Sequence, residues 1–279
     1  MRPGRRSVLL LVPALLVLLA LFAAPQAVLL EASFARRSAY GTLVHDWSLA
    51  NYARALTPLY LRIAFRSLVL ALATTAACLL LAYPIAYWIG VAAPRAWRSP
   101  LLTLVIMPFW TSFLVRMYAW IVLLRDEGVL NLLLRAAGLP PVGLLYNDAG
   151  VLLGQVYGEL PFMILPLFAS LERLDRSLLE AAADLGAPPS RVLWRVTVPL
   201  SRPGIVAGCV LVFIPSLGAY LAPDLLGGAR EAYLGNLIQS QFAVARDMPF
   251  GAALSFLLSG IVIAGLWLLR RLRTTLEIV

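Results

Sequence analysis

The sequence predicts an all-α, polytopic membrane protein with six transmembrane helices and a helix-turn-helix elbow between the fourth and fifth. Three observations predict it. The 279 residues are 61% hydrophobic and 13% charged, with a mean hydropathy of +0.86, whereas a soluble domain is roughly half apolar and a quarter charged. The apolar residues fall in runs of about 20, the length of a membrane-spanning helix rather than of a barrel strand. One polar stretch, residues 177–204, interrupts these runs with paired helix signals.

The chain opens with Arg2, Arg5 and Arg6, then an apolar run from Ser7 to about Leu30. A basic start before an apolar run is also the signature of a signal peptide. This run is long for one and no small-x-small site closes it, so it reads as an uncleaved first span with a cytoplasmic N-terminus. Residues 31–61 form a polar connection in which Trp47, Tyr52 and Tyr60 suit a membrane interface. The second span covers about 62–91, with a kink expected at Pro84. A short loop with Arg95 and Arg98 leads to the third, about 100–124, which contains Pro108. A longer loop, 125–147, holds Leu130 to Leu134. The fourth span covers about 148–170, with Glu159, Pro161 and Pro166 inside it. The fifth covers about 204–223 and the sixth about 251–269, separated by a polar loop at 224–249. The expected organisation is a first transmembrane helix with its periplasmic loop (1–61), a five-helix core containing the elbow (62–270) and a cytoplasmic tail (271–279).

The formal net charge is +9, and all 23 basic residues are arginine. They are spread mostly over the loops between the spans, which argues for membrane orientation and against a nucleic-acid partner. Arginines at both ends, in the second-to-third loop and in the elbow mark one side as cytoplasmic. Arg36, Arg37 and Arg54 in the first outer loop oppose that bias. Six spans put both termini on the cytoplasmic side. Cys78 and Cys209 fall within apolar runs and offer neither a disulfide framework nor metal spacing. The single His45 lies outside the spans and gives no metal site.

The elbow reads as two short helices. Ser177 and Glu180 fit a capping box, and Leu178, Leu179, Ala182 and Leu185 follow on one face. Gly186 stands where a left-handed C-terminal cap is wanted. Pro188 and Pro189 stop the first helix, and Ser190 is placed to cap a second. That second helix turns Val192, Leu193 and Val196 inward and Arg191 and Arg195 outward, and ends near Pro199.

Glu180-Ala181-Ala182, then Gly186 after three residues, then Val196-Thr197-Val198-Pro199 after nine, resembles the E-A-A loop of bacterial ABC importer permeases, the binding-protein-dependent (type I, MetI-like) family. Valines stand where that family has Ile and Leu. Further stretches resemble its spermidine/putrescine subgroup: Pro108 to Thr111, Arg116 to Trp120, Leu145 to Asn147, Leu160 to Met163, Leu171 to Leu185, Pro223 to Gly228, Gly235 to Gln239, and Phe250-Gly251 after Ala245 to Asp247. The resemblance implies a permease subunit with no cofactor of its own. A second homologous permease would share the path, two ATPase subunits would bind the ATP, and an extracytoplasmic binding protein would deliver a polyamine. Alternating access would move it across the cytoplasmic (inner) membrane of a bacterium. The elbow, with Glu180, Ala181, Ala182, Gly186, Val196 and Pro199, would be the coupling helix on the ATPase. Related subgroups carry opines and other small organic solutes on the same scaffold.

No Walker A stretch, Ser/His/Asp grouping or H-E-x-x-H motif occurs, so an enzyme finds little support. A secondary transporter would need neither an ATPase nor the elbow. For the substrate path, Glu159 falls midway along the fourth span, where an ionisable group is costly. It either faces a cationic solute or pairs with Arg116 of the third span. Trp110, Tyr118 and Trp120 offer faces for cation–π contact or simply pack. Asp224 lines the outer mouth or is an ordinary loop acid.

Overall fold

The computed structural model describes residues 12–13, 15–38, 43–228 and 232–276. The expected start of the first span, its three arginines and the end of the tail lie outside these. In chain order the helices are α1 (Leu15–Phe34), α2 (Ala50–Ala55), α3 (Pro58–Ala92), α4 (Arg95–Trp110), α5 (Phe113–Leu124), α6 (Val129–Ala136) and α7 (Asp148–Leu171). They continue with α8 (Arg176–Asp184), α9 (Pro189–Leu200), α10 (Arg202–Gly218), α11 (Leu221–Leu226), α12 (Leu234–Ala243) and α13 (Met248–Leu276). A short hairpin pairs β1 (Arg36–Arg37) with β2 (Leu43–Val44), Arg36 opposite Val44.

Among the described residues four helices are each long and apolar enough to cross a membrane: α1, α3, α7 and the Met248–Trp267 part of α13. Two bent pairs bring the number to six if each pair is one span. The third span expected at about 100–124 is bent rather than continuous. Its first arm, α4, starts at Arg95, and the chain then turns by 89° at Thr111-Ser112. Pro108 sits in a tight 3₁₀ turn, Met107–Trp110, and Thr111 Oγ1 donates to the Pro108 carbonyl at 2.7 Å. Such a local bond offers the backbone an alternative to the helix. The loop expected at 125–147 contains α6. The expected fifth span stops at Gly218, and α11 is a separate turn of helix. The expected polar loop at 224–249 contains α12.

Three helices carry a wide π turn: Leu19–Ala23, Trp88–Ala92 and Leu193–Thr197. Each ends two residues before a proline, Pro25, Pro94 or Pro199. Proline cannot donate a backbone bond and crowds the carbonyl four residues back, and a wider turn makes room. Pro84, where a kink is expected, lies inside the α-helical part of α3, Pro58–Tyr87.

The chain divides into two compact units, residues 1–63 with 237–279, and 64–236. In the first, α1 packs on α13. Asn51 Nδ2 donates to the Ser33 and Ala35 carbonyls at 3.0 and 2.8 Å, closing the end of α1. Arg54 of α2 binds Asp247 at 2.8 Å and lies 3.9 Å above the Phe250 ring.

In the second unit α7 is the central helix. Met163, Ile164 and Leu167 of α7 pack against Cys78 and Ala82 of α3 and Val212 of α10. Gly204 and Gly208 let α10 approach α7 closely, the small-residue device of membrane helix pairs. A Cβ on Gly204 would lie 2.6 Å from Ser170 Cβ and 2.7 Å from the Pro166 carbonyl oxygen. Backbone cannot swing aside as a flexible side chain does. Gly204→Val should therefore destabilise the fold by about 2–3 kcal/mol, in the range of overpacked cores. Thermal unfolding of the detergent-solubilised chain checks this, and an unchanged midpoint would contradict it.

Candidate functional site

The elbow is helix α8, a glycine turn and helix α9. Asp175, not Ser177, caps α8: its carboxylate accepts the Ser177 amide at 3.0 Å. The expected capping box is therefore absent. The helix begins at Arg176, one residue before Ser177, and a carboxylate is favoured at the positive helix end. The Ser177 backbone amide holds the Asp175 carboxyl below the usual carboxylate range. The far end of α8 is as the sequence suggests. Gly186 has φ +77°. The Ala187 amide donates to the Ala182 carbonyl at 3.1 Å and the Gly186 amide to Ala183 at 2.8 Å, the pair of bonds that closes a Schellman cap. The expected Ser190 cap is corrected too. Helix α9 starts at Pro189, because proline suits the first helical position, with Pro188 as its cap.

The faces of the elbow decide what it can do. No residue of α8 is buried. Leu178 and Leu185 are exposed, Leu185 to 89%, and Trp194 of α9 to 69%. Glu180, Ala181 and Gly186 are also exposed, whereas Ala182, Val196 and Pro199 are half-buried. Val192 and Leu193 are also half-buried, with Arg191 and Arg195 exposed. The apolar side chains of Leu178 and Leu185, seven residues apart on α8, are thus left uncovered.

Inside the helices, Glu159 of α7 is half-buried and its Oε2 has no hydrogen-bond partner among the described residues. Neither do Arg116 Nε and Nη1. No ion pair joins the two among the described residues. Arg116 instead sits among aromatic rings, 4.7 Å from the Phe109 centroid, 5.4 Å from Phe113 and 5.8 Å from Tyr157. Trp120 packs edge-on against Tyr157 at 5.5 Å. Trp110, Tyr118 and Asp224 are exposed, and among the described residues no hydrogen bond or ion pair joins them to Glu159.

Three polar features escaped the sequence reading. Gln155, one helical turn from Glu159, accepts from Thr74 Oγ1 at 2.9 Å and leaves its buried Nε2 unpaired among the described residues. Its signal was a second polar residue four positions from Glu159 on an apolar helix. Arg66 of α3 binds Asp148 at 2.6 Å, and Tyr233 donates to the same carboxylate. Arg98 pairs with Glu172 at 3.3 Å. These pairs are distant in sequence and left no local trace.

Residues 82–277 match the family model described as "Binding-protein-dependent transport system inner membrane component". The chain is 42% identical over 247 residues to the spermidine/putrescine transport system permease protein PotB of Escherichia coli K12, covering 88% of this chain and 89% of that protein. It is 32% identical over 221 residues to the molybdenum transport system permease protein ModB of Mycobacterium bovis, covering 79% and 80%. A crystal structure of a bacterial ABC transporter involved in the import of the acidic polysaccharide alginate shares the fold, with a TM-score of 0.70 at 19% identity over 96% of both chains.

Proposed function

Since the chain belongs to the family of binding-protein-dependent transport system inner membrane components, we propose that it is the permease subunit of an ATP-driven importer for spermidine and putrescine. The observation that carries the substrate is the 42% identity with a spermidine/putrescine permease across 88% of the chain. A second permease subunit completes the path, two ATPase subunits supply the energy, and an extracytoplasmic binding protein delivers the cargo. The chain crosses the inner membrane several times, with both termini and the elbow on the cytoplasmic side.

In this reading the core 62–270 performs transport, and 1–61 and 271–279 flank it. Glu180, Ala181 and Gly186 form the surface that meets the ATPase. Ala182, Val196 and Pro199 set the angle between the two arms. Glu159 offers a carboxylate to a cation that has shed its hydration, with Gln155 one turn away on the same helix. Trp110, Tyr118, Trp120 and Asp224 belong to the path wall or its mouth. Arg116 is held by rings rather than by Glu159, which leaves the carboxylate open to an incoming ammonium group.

Uptake of radiolabelled spermidine into cells lacking their own polyamine importers tests the substrate. Expressed with its partner subunits, the chain should restore uptake that excess putrescine suppresses and excess molybdate does not. Uptake no greater than in cells without the chain would refute the assignment.

A further inference from the structure

We propose that the cavity between the end of α7 and the start of α4 is a binding site for a phosphate-bearing anion. It encloses about 290 Å³ and is lined by Gly90, Val91, Arg95, Arg98, Glu172 and Arg176 together with Asp175. Three guanidinium groups there face two carboxylates. Both carboxylates are engaged: Glu172 accepts from Arg98 Nη1 at 3.3 Å, and Asp175 accepts the Ser177 amide at 3.0 Å. Arg176 is fixed by its Nη2 donating to the Val91 carbonyl at 2.8 Å. Arg95 is exposed.

Arg98 points to a ligand most directly. Only 9% of it is exposed, and its Nε has no acceptor among the described residues. An unpaired buried donor costs free energy, and a guanidinium fork is shaped for phosphate oxygens. The first residue of α4, Arg95, and the first of α8, Arg176, both line the cavity; Asp175 already caps the start of α8, so the guanidinium groups and not the helix ends supply the positive charge. At the cavity wall Gly90 lets α3 come close to α7: a Cβ there would lie 3.2 Å from Leu171 Cβ. The spans α3 and α7 end here, at Ala92 and Leu171, so the cavity lies where a membrane surface places its phosphates. Basic pockets between span ends bind anionic headgroups. The phosphate belongs either to an anionic phospholipid or to a free anion. The site does not depend on which solute the chain carries.

The full-length chain is purified in neutral detergent and offered phosphatidylglycerol, phosphatidylcholine of the same acyl chains, or millimolar inorganic phosphate. Native mass spectrometry reads what is retained. Phosphatidylglycerol should bind one per chain in preference to phosphatidylcholine. Arg95→Gln, at an exposed position, should weaken that binding about tenfold, the scale of one charge-assisted contact. Glu172→Gln, which removes a repelling charge, should strengthen it. Retention that phosphate does not reduce assigns the lipid. Binding of phosphate alone, with the same response to the two substitutions, assigns the free anion. Equal retention of both lipids without phosphate binding, or indifference to both substitutions, overturns the proposal.

Discussion

Gly186→Val abolishes transport and loosens the ATPase, while the chain still inserts in the membrane. A Cβ on Gly186 meets nothing within 4 Å, so the substitution creates no clash. Its cost is in the backbone. Gly186 has φ +77°, and a left-handed residue with a side chain costs about 1–2 kcal/mol, more readily relieved by opening the cap than by unfolding the core. The two bonds that close α8 are then lost, and α8 and α9 no longer meet at the angle that presents Leu178, Leu185 and Trp194 together. Glu180→Lys reaches the same end by another route. Glu180 is exposed and is not half of a capping box, so its replacement should change stability by no more than about 0.5 kcal/mol. A loss of transport then reports on the partner surface alone. Co-purification of the ATPase with each variant, beside uptake, is the measurement. Normal binding and uptake in both variants would remove the elbow from the coupling role.

Glu159→Gln lowers polyamine uptake by roughly tenfold or more, the scale of one lost charge-assisted hydrogen bond, and leaves the complex assembled. An intramembrane carboxylate is a functional position by default. Its alternative role was to neutralise Arg116, and in the structure the two form no ion pair. Glutamine fills the same space and leaves no stranded arginine charge, so folding is spared. Uptake is measured beside pull-down of the ATPase. Unaltered uptake would take Glu159 out of the path, and loss of the whole complex would make it structural.

The spans were legible where one helix carries one apolar run. Helix α7 begins at Asp148, as expected, because Asn147 accepts the Gly150 amide and a long apolar stretch follows. The elbow was legible at Gly186, since only a few residue types tolerate a left-handed cap. Its two helix starts lie two residues earlier than the sequence suggests because several residues competed for each cap: Asp175 displaced Ser177, and Pro188 displaced Ser190. The break at Thr111-Ser112 was hidden because apolar residues continue on both sides of it, and hydropathy does not register direction. Arg116 read as a partner for Glu159 because both are ionisable and intramembrane. The rings that hold it, Phe109, Phe113 and Tyr157, come from three elements that only the fold brings together. The Arg98–Glu172 pair, 74 residues apart, was beyond sequence reasoning for the same reason.

Reconstitution tests the central claim most directly. The chain, its partner permease and the ATPase are placed in proteoliposomes with the binding protein and labelled spermidine on the binding-protein side. Uptake should require ATP on the opposite side and should vanish when Gly186→Val replaces the native chain. Equal uptake with and without ATP would contradict an ATP-driven permease coupled through the elbow.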